Sequence, residues 1–187
     1  MRRLPPFPGF PDAAQRKQRT HFHALARAIL FQQLHWKAAT TIHDRVVALT
    51  PGRGFPKPDE LLALDSAALR AAGVSSNKER ALRDLATRVH AGELDLARVG
   101  RKRDEHVIEA LTRVHGIGEW SAQMFLLFRL GRLDVMPCGD LGIQEGLKRL
   151  DSLRERPTPK QVLARSEPWR PLRSVASWYL YRLTDES

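Results

Sequence analysis

The chain has 187 residues, of which 42% are apolar, enough to bury the core of one domain or of two small helical lobes. Lysine and arginine number 31 against 21 aspartates and glutamates, and the net charge is +10. A polyanion is therefore the leading class of partner, with a merely soluble basic protein as the alternative. A single cysteine, Cys138, excludes an intrachain disulfide and an iron–sulfur cluster held by four cysteines of this chain.

The N-terminal residues 1–19 are rich in proline, which predicts an extended arm rather than a helix. No apolar signal core follows Met1, and neither a long uncharged apolar run nor a leucine-rich basic interfacial helix occurs. We therefore expect no membrane partner and a cytoplasmic location, with association to the nucleoid through DNA. The folded domain is expected over residues 20–187.

Apolar residues at helical spacing recur through the rest of the chain. From Thr20 they predict two helices, or one bent helix, with Gln33 and Leu34 in the connection. After a Pro/Gly-rich breaker at residues 50–58, residues 59–150 are expected to form a central lobe. No alternation of period two has useful length, so the predicted fold class is all-α.

The central stretch predicts a helix-hairpin-helix. A first helix is expected from Asp104, which is placed to cap it, and a buried second helix over residues 119–130. Between them, Gly116 and Gly118 permit a turn that other residues resist and let a partner approach the bare main chain. The second helix would begin at Gly118 with N–H groups suited to a phosphate. An ordinary helical hairpin without a ligand is the alternative.

A loop rich in turn formers, residues 131–140, ends on Asp140, and helical spacing resumes at Ile143. Asp140 thus occupies an N-cap position, and the simplest interpretation is a helix cap. The N–H groups and the dipole of a helix start also keep a carboxylate ionised. If such a cap lay at a cleft, its carboxylate would be a fixed negative charge available to a ligand.

Taken together, residues 111–122 followed by Asp140 resemble the helix-hairpin-helix, Gly/Pro-rich loop and aspartate signature of DNA glycosylases. Within that superfamily the chain resembles the alkylation-repair branch, 3-methyladenine DNA glycosylase II. Further agreement lies in residues 28–34, 126–135, 140–143 and 169–174. The resemblance implies two small helical lobes flanking a DNA-binding cleft, and an enzyme that flips a damaged base out of the duplex. His115 departs from the pattern, because the family usually has proline there.

The resemblance also assigns the chemistry. Asp140 is the implied catalytic residue, whose carboxylate would stabilise the positive charge that builds on the sugar as the C1′–N bond breaks. The implied base pocket comprises Trp120, Met124 and Tyr181, with electron-rich rings that favour a cationic alkylated purine. Strand-nicking members have a lysine at the position of Trp120, so a monofunctional hydrolase that leaves an abasic site is implied.

The implied partner is double-stranded DNA containing damaged bases, bound by a monomer. The implied DNA-binding residues are Gln33, Leu34, His115, Gly116, Ile117, Gly118 and Ser121, with the wedge at Gln33 or Leu34. In relatives an alkali ion bridges hairpin carbonyls and a phosphate, and the matching positions are Thr112, Val114 and Ile117. Apart from such Na⁺ or K⁺ with bound DNA, no cofactor and no iron–sulfur cluster is expected. Two alternatives stay open: a glycosylase for mismatched or deaminated bases, and a non-catalytic helix-hairpin-helix DNA-binding protein.

Overall fold

The computed structural model describes residues 5–10, 20–52 and 54–185. In these ranges the regular structure is helical and contains no strand, which confirms the all-α prediction. The α-helices are α1 (His21–Phe31), α2 (Trp36–Val47), α3 (Pro58–Ala63), α4 (Ser66–Ala71), α5 (Ser76–His90), α6 (Asp104–Thr112), α7 (Glu119–Met124), α8 (Leu141–Leu150), α9 (Pro159–Ser166) and α10 (Arg173–Asp185). No helix of the described ranges is both long and apolar enough to cross a membrane.

The chain divides into two compact units, residues 16–122 and residues 1–15 together with 123–187. These bounds differ from the predicted central lobe at residues 59–150. In the first unit α5 packs against both α1 and α3, and in the second α8 packs against α10. The predicted lobe contains α5 without its partner α1, and α8 without its partner α10, so its bounds divide both pairs of packed helices.

In the first unit, buried aliphatic residues come from α1, α3, α4, α5 and α6. Leu25, Ile29 and Leu30 of α1 are nearly inaccessible to solvent, as are Leu82 and Leu85 of α5. Lys78 also connects these two helices, because its Nζ donates to the carbonyl of Leu30 at 2.6 Å. The end of α1, where the predicted wedge loop begins, is thereby fixed against α5.

The second unit has its own core, formed by Met136, Ile143, Leu147, Val162 and Leu180. The N-terminal residues 5–10, which form no helix, pack on this unit through edge-to-face ring contacts. Phe7 lies 5.8 Å from Trp178, and Phe10 lies 5.1 Å from Phe128, measured between ring centroids. The rest of the predicted arm, residues 11–19, lies outside the described residues.

A bidentate ion pair fixes the loop that leads to Asp140. The Arg173 guanidinium donates to both carboxylate oxygens of Asp134, at 2.7 and 3.0 Å, and Arg170 adds a further contact at 3.3 Å. Burial by itself would raise the pKa of Asp134, but the hydrogen bonds and charge of Arg173 hold it below its ordinary value. The start of the loop is thus attached to the start of α10.

Two local predictions at the hairpin are wrong. Asp104 is the first residue of α6 rather than its cap, and Arg103, at the N-cap position, makes no capping hydrogen bond with its side chain. The buried helix predicted over residues 119–130 is α-helical only to Met124 and continues as a π-helical segment, Phe125–Arg129, in which the Leu130 N–H bonds to the Phe125 carbonyl. Apolar spacing does not reveal this change of hydrogen-bond register.

Candidate nucleic-acid interface and catalytic carboxylate

The turn between α6 and α7 is a glycine hairpin, as predicted. Gly116 has φ +79°, a left-handed conformation that L side chains rarely adopt, and an added Cβ would lie 3.0 Å from the Cβ of Ala81. The carbonyl of Gly118 accepts the N–H of Ala122 at 3.1 Å, so Gly118 is at the N-cap position and α7 begins at Glu119, the first residue of the predicted range 119–130. Glycine at 116 thus satisfies both the turn and the close approach of α5.

The hairpin lines a surface pocket of about 770 Å³ within the first unit. Its walls come from α5 and from the end of α6 through the turn, and the lining residues are Arg80, Asp84, Arg88, Thr112, Arg113, Val114, His115, Gly116, Ile117 and Gly118. Three arginines against one aspartate give the lining a net positive charge. The structure therefore brings the predicted phosphate-binding turn into a cationic pocket.

The predicted wedge loop is attached directly to this hairpin. Gln32 donates from its side-chain amide to the carbonyl of Gly116 at 2.9 Å, although the two residues are far apart in sequence. Gln33 follows with φ +55°, and Leu34 is 40% exposed. Both wedge candidates therefore lie in a strained, exposed turn next to the hairpin, and the choice between them stays open.

His115 stands where the family usually has proline, and the structure uses the donor that proline lacks. Its main-chain N–H donates to the Asp84 carboxylate at 2.7 Å, and its ring Nε2 lies 3.1 Å from the side-chain oxygen of Asn77. Asp84 also accepts from Arg88. The residue before the glycine turn is thus held from two sides by α5.

In the second unit, Asp140 caps α8 as predicted. Its Oδ1 accepts the N–H of Ile143 at 2.9 Å, and the residue is only 9% exposed. Gly142 allows this arrangement, because a Cβ there would lie 3.0 Å from both the Asp140 carboxylate and the ring of Tyr181. A side chain at position 142 would therefore separate the carboxylate from that ring.

Tyr181 of α10 completes the surroundings of this carboxylate. Burial raises the pKa of the Tyr181 phenol well above its ordinary value, and the negative charge of Asp140 and a hydrogen bond to its carboxylate raise it further. The phenol is consequently a neutral donor at every physiological pH. Its oxygen lies 3.8 Å from the sulfur of Met124. The structure thus brings together Asp140, Tyr181 and Met124, three of the predicted residues.

The other predicted residues lie in the first unit. Trp120 of α7 is 51% exposed, which contradicts a helix buried on all sides, whereas Ser121 is half-buried. Their roles in the base pocket and in DNA binding stay predictions. Thr112, Val114 and Ile117, the predicted carbonyl ligands, all line the hairpin pocket. Among the described residues no cluster of three His, Cys, Asp or Glu side chains could hold a metal ion.

Sequence reasoning missed several residues that shape the two sites. Gln32, Asn77, Arg80 and Asp84 surround the hairpin, and Gly142 makes room beside Asp140. The glutamine belongs to a stretch that carries the family resemblance, so its presence next to the wedge was a usable signal. The residues of α5 carried no such signal in the sequence, because only the packing of α5 against the hairpin brings them to this site.

An all-α chain with a glycine hairpin in a cationic pocket and a buried aspartate that caps a helix has the features of the helix-hairpin-helix DNA-repair class. Comparison with known proteins agrees. Residues 26–171 match the model of the HhH-GPD superfamily of base excision DNA repair proteins, and the chain belongs to that family.

Its relatives include DNA-3-methyladenine glycosylase 1 of Schizosaccharomyces pombe, 38% identical over 162 residues that span 86% of this chain and 71% of the relative. The solved structure of 3-methyladenine DNA glycosylase from S. pombe in complex with abasic DNA is also similar. It has a TM-score of 0.80 and 34% identity, and the match covers 98% of this chain and 86% of that one. A DNA-3-methyladenine glycosidase from Bacillus halodurans has a TM-score of 0.84 and 38% identity, covering 89% and 76% of the two chains.

Proposed function

We infer that this protein is a monofunctional DNA glycosylase that releases alkylated bases, such as 3-methyladenine, from double-stranded DNA and leaves an abasic site. The observation that carries the proposal is the Asp140 carboxylate, buried, capping α8 and bonded to a neutral phenol, in a member of a base-excision family. The relatives named for 3-methyladenine support the substrate class.

The proposed reaction needs a fixed negative charge more than it needs an acid. As the C1′–N bond breaks, positive charge builds on the sugar, and a preorganised carboxylate lowers that barrier. The N–H of Ile143 and the hydroxyl of Tyr181 both donate to Asp140, so its orientation is fixed. An alkylated purine already carries positive charge and leaves without protonation, while water supplies the hydroxyl of the product.

The hairpin pocket is the proposed seat of a DNA phosphate. Main-chain N–H groups of the turn, at Gly116 and Gly118, have no side chain in the way, and the arginines that line the pocket favour an anion. Gln33 or Leu34, attached to the turn through Gln32, would fill the space that a flipped nucleotide leaves.

The residues around the hairpin fit the expected alkali ion. Thr112, Val114 and Ile117 line one pocket, and the Val114 carbonyl accepts the Ile117 N–H with one of its two lone pairs. A Na⁺ or K⁺ held there would offset the charge of the adjacent phosphate. We further propose that the protein acts as a cytoplasmic monomer on nucleoid DNA.

The test is a panel of duplexes that each carry one lesion: a methylated purine, a deaminated base, a mismatch or 8-oxoguanine. We expect release of methylated purines, an intact strand until alkali is added, and no covalent adduct on borohydride treatment, because Trp120 cannot form a Schiff base. A strand-nicking glycosylase serves as the positive control for trapping.

The two alternatives predict different results from the same panel. Preferential release of a deaminated or mismatched base would reassign the substrate, and lesion-independent binding without any release would indicate a non-catalytic DNA-binding protein. Efficient borohydride trapping would show that a lysine performs the chemistry. The solved structures of the 8-oxoguanine glycosylase/lyase of Clostridium acetobutylicum are 16% and 20% identical to this chain, and at that identity the similarity shows the fold alone.

A further inference from the structure

The hairpin pocket contains three arginines whose charges are compensated to different degrees. Arg88 pairs with Asp84 at 3.1 Å and with Glu93 at 3.2 Å. Arg113 pairs with Glu109 at 2.5 Å. Arg80 differs from both, because its hydrogen-bond partner, Asn77, is neutral. Among the described residues no acidic side chain forms an ion pair with Arg80, and the aspartate of the pocket lining, Asp84, pairs with Arg88 instead.

Asn77 holds Arg80 and His115 with a single atom. The guanidinium of Arg80 donates from Nη2 at 2.8 Å, and because a guanidinium has no acceptor, the Asn77 atom that it meets must be the amide oxygen. The Nε2 of His115, 3.1 Å from the same oxygen, must then carry a proton and donate as well. One carbonyl oxygen has two lone pairs, so it accommodates both donors.

This arrangement leaves most of the Arg80 guanidinium available. One of its five N–H groups is used by Asn77, and the planar fork of the others matches the oxygens of a phosphate. The side chain is exposed and lines the same pocket as the glycine turn. Asn77 contacts both Arg80 and His115, and His115 begins the glycine turn. The same side chain therefore positions the guanidinium and the start of the hairpin.

We propose that Arg80 binds a DNA phosphodiester of its own at the hairpin pocket, with Asn77 as its positioning residue. This inference rests on the proposed function, since it assigns a second phosphate contact to the same DNA. Each phosphate that a protein neutralises contributes about 0.9 to the slope of log K against log salt concentration. The number of contacts is therefore directly measurable.

The experiment compares the salt slope of binding to undamaged duplex for the wild type, Arg80→Gln, Arg80→Lys and Arg98→Gln. Arg98 is a matched control, because it is an exposed arginine of the same unit that lies outside the pocket and pairs with Asp95. We expect Arg80→Gln to reduce the slope by about 0.9, Arg80→Lys to retain it, and Arg98→Gln to change it little. Because Arg80 is exposed, the unfolding midpoints should stay equal.

The outcomes separate this inference from the proposed function. An Arg80→Gln slope equal to that of the wild type, or an equal loss in Arg98→Gln, would overturn the assignment of a phosphate to Arg80 while the wild type still binds and excises. A flat salt response of the wild type itself would instead refute the proposed DNA-binding function. Retention of the slope by Arg80→Lys would show that the charge at this position is what the DNA requires.

Discussion

Replacement of Asp140 by asparagine should remove catalysis and leave the fold intact. Asparagine caps a helix about as well as aspartate, so the bond from the Ile143 N–H can persist, and Tyr181 can still donate to an amide oxygen. What disappears is the negative charge. Loss of its interaction with the helix dipole costs about 0.3–1 kcal/mol of folding stability.

The effect on the reaction should be much larger. Loss of one group aimed at the charge of a transition state costs about 10²–10³ in rate, or roughly 2.7–4 kcal/mol. Base release is measured under single-turnover conditions on a methylated duplex, and affinity is measured on a duplex with a stable abasic-site analogue. We expect the rate of release to fall by about 10² or more and lesion-DNA affinity to change little.

Asp151 provides the matched control, because it terminates the same helix at the other end. Its carboxylate accepts from Arg165 at 2.7 and 3.0 Å, so Asp151→Asn removes the same charge from α8 and breaks a partly exposed ion pair. That variant should lose little stability, because exposed ion pairs contribute little, and it should keep its rate of base release. Near-normal release by Asp140→Asn, or equal losses in the two variants, would refute the catalytic assignment.

Three further predictions concern binding and stability. Affinity for undamaged duplex should fall by about 10³ or more between roughly 50 and 200 mM salt if six or more phosphates are contacted, and a flat titration would contradict a DNA-binding role. Gly116→Ala should lower the free energy of unfolding by about 1–3 kcal/mol. Gly100→Ala is the control in the same unit, because φ is not positive there and an added Cβ meets nothing within 4 Å, and it should not lower the free energy of unfolding by more than about 0.5 kcal/mol. Similar denaturation curves for the two variants would exclude the strain argument. The pKa of Asp134 is lowered in the folded state, so its contribution to stability is complete above its unfolded pKa of about 4 and is lost as pH falls through the folded pKa. Asp134→Asn should therefore weaken the fall in the free energy of unfolding between about pH 5 and 2. An unchanged pH dependence of the free energy of unfolding would argue against the ion pair with Arg173.

The sequence alone predicted those features whose physical cause lies within a few neighbouring residues. Asp140 could be recognised as a cap because helical spacing resumes three residues later, and the capping bond spans that same distance. The glycine turn could be recognised because glycine tolerates the backbone angle that Gly116 adopts. In both cases the physical cause acts over a distance of about one helical turn along the sequence.

Features that depend on packing between distant segments could not be predicted in this way. The family resemblance suggested Tyr181, but its hydrogen bond to Asp140 depends on α10 packing against α8. The contacts of α5 with the hairpin, through Asn77 and Asp84, had no local pattern at all. The π-helical segment after Met124 shares the apolar spacing of an α-helix, which is why a continuous helix was predicted there.

His115 illustrates how a departure from a family pattern can preserve what the pattern achieves. A proline would fix φ at this position and would remove the N–H. His115 keeps the N–H and donates it to a carboxylate at 2.7 Å, and a hydrogen bond to a charged group contributes about 1.5–3 kcal/mol. That is comparable to the roughly 1–2 kcal/mol that it costs to fix one residue's backbone. The turn is therefore held by Asp84 instead of by a ring, and its rigidity depends on α5 remaining in place beside it.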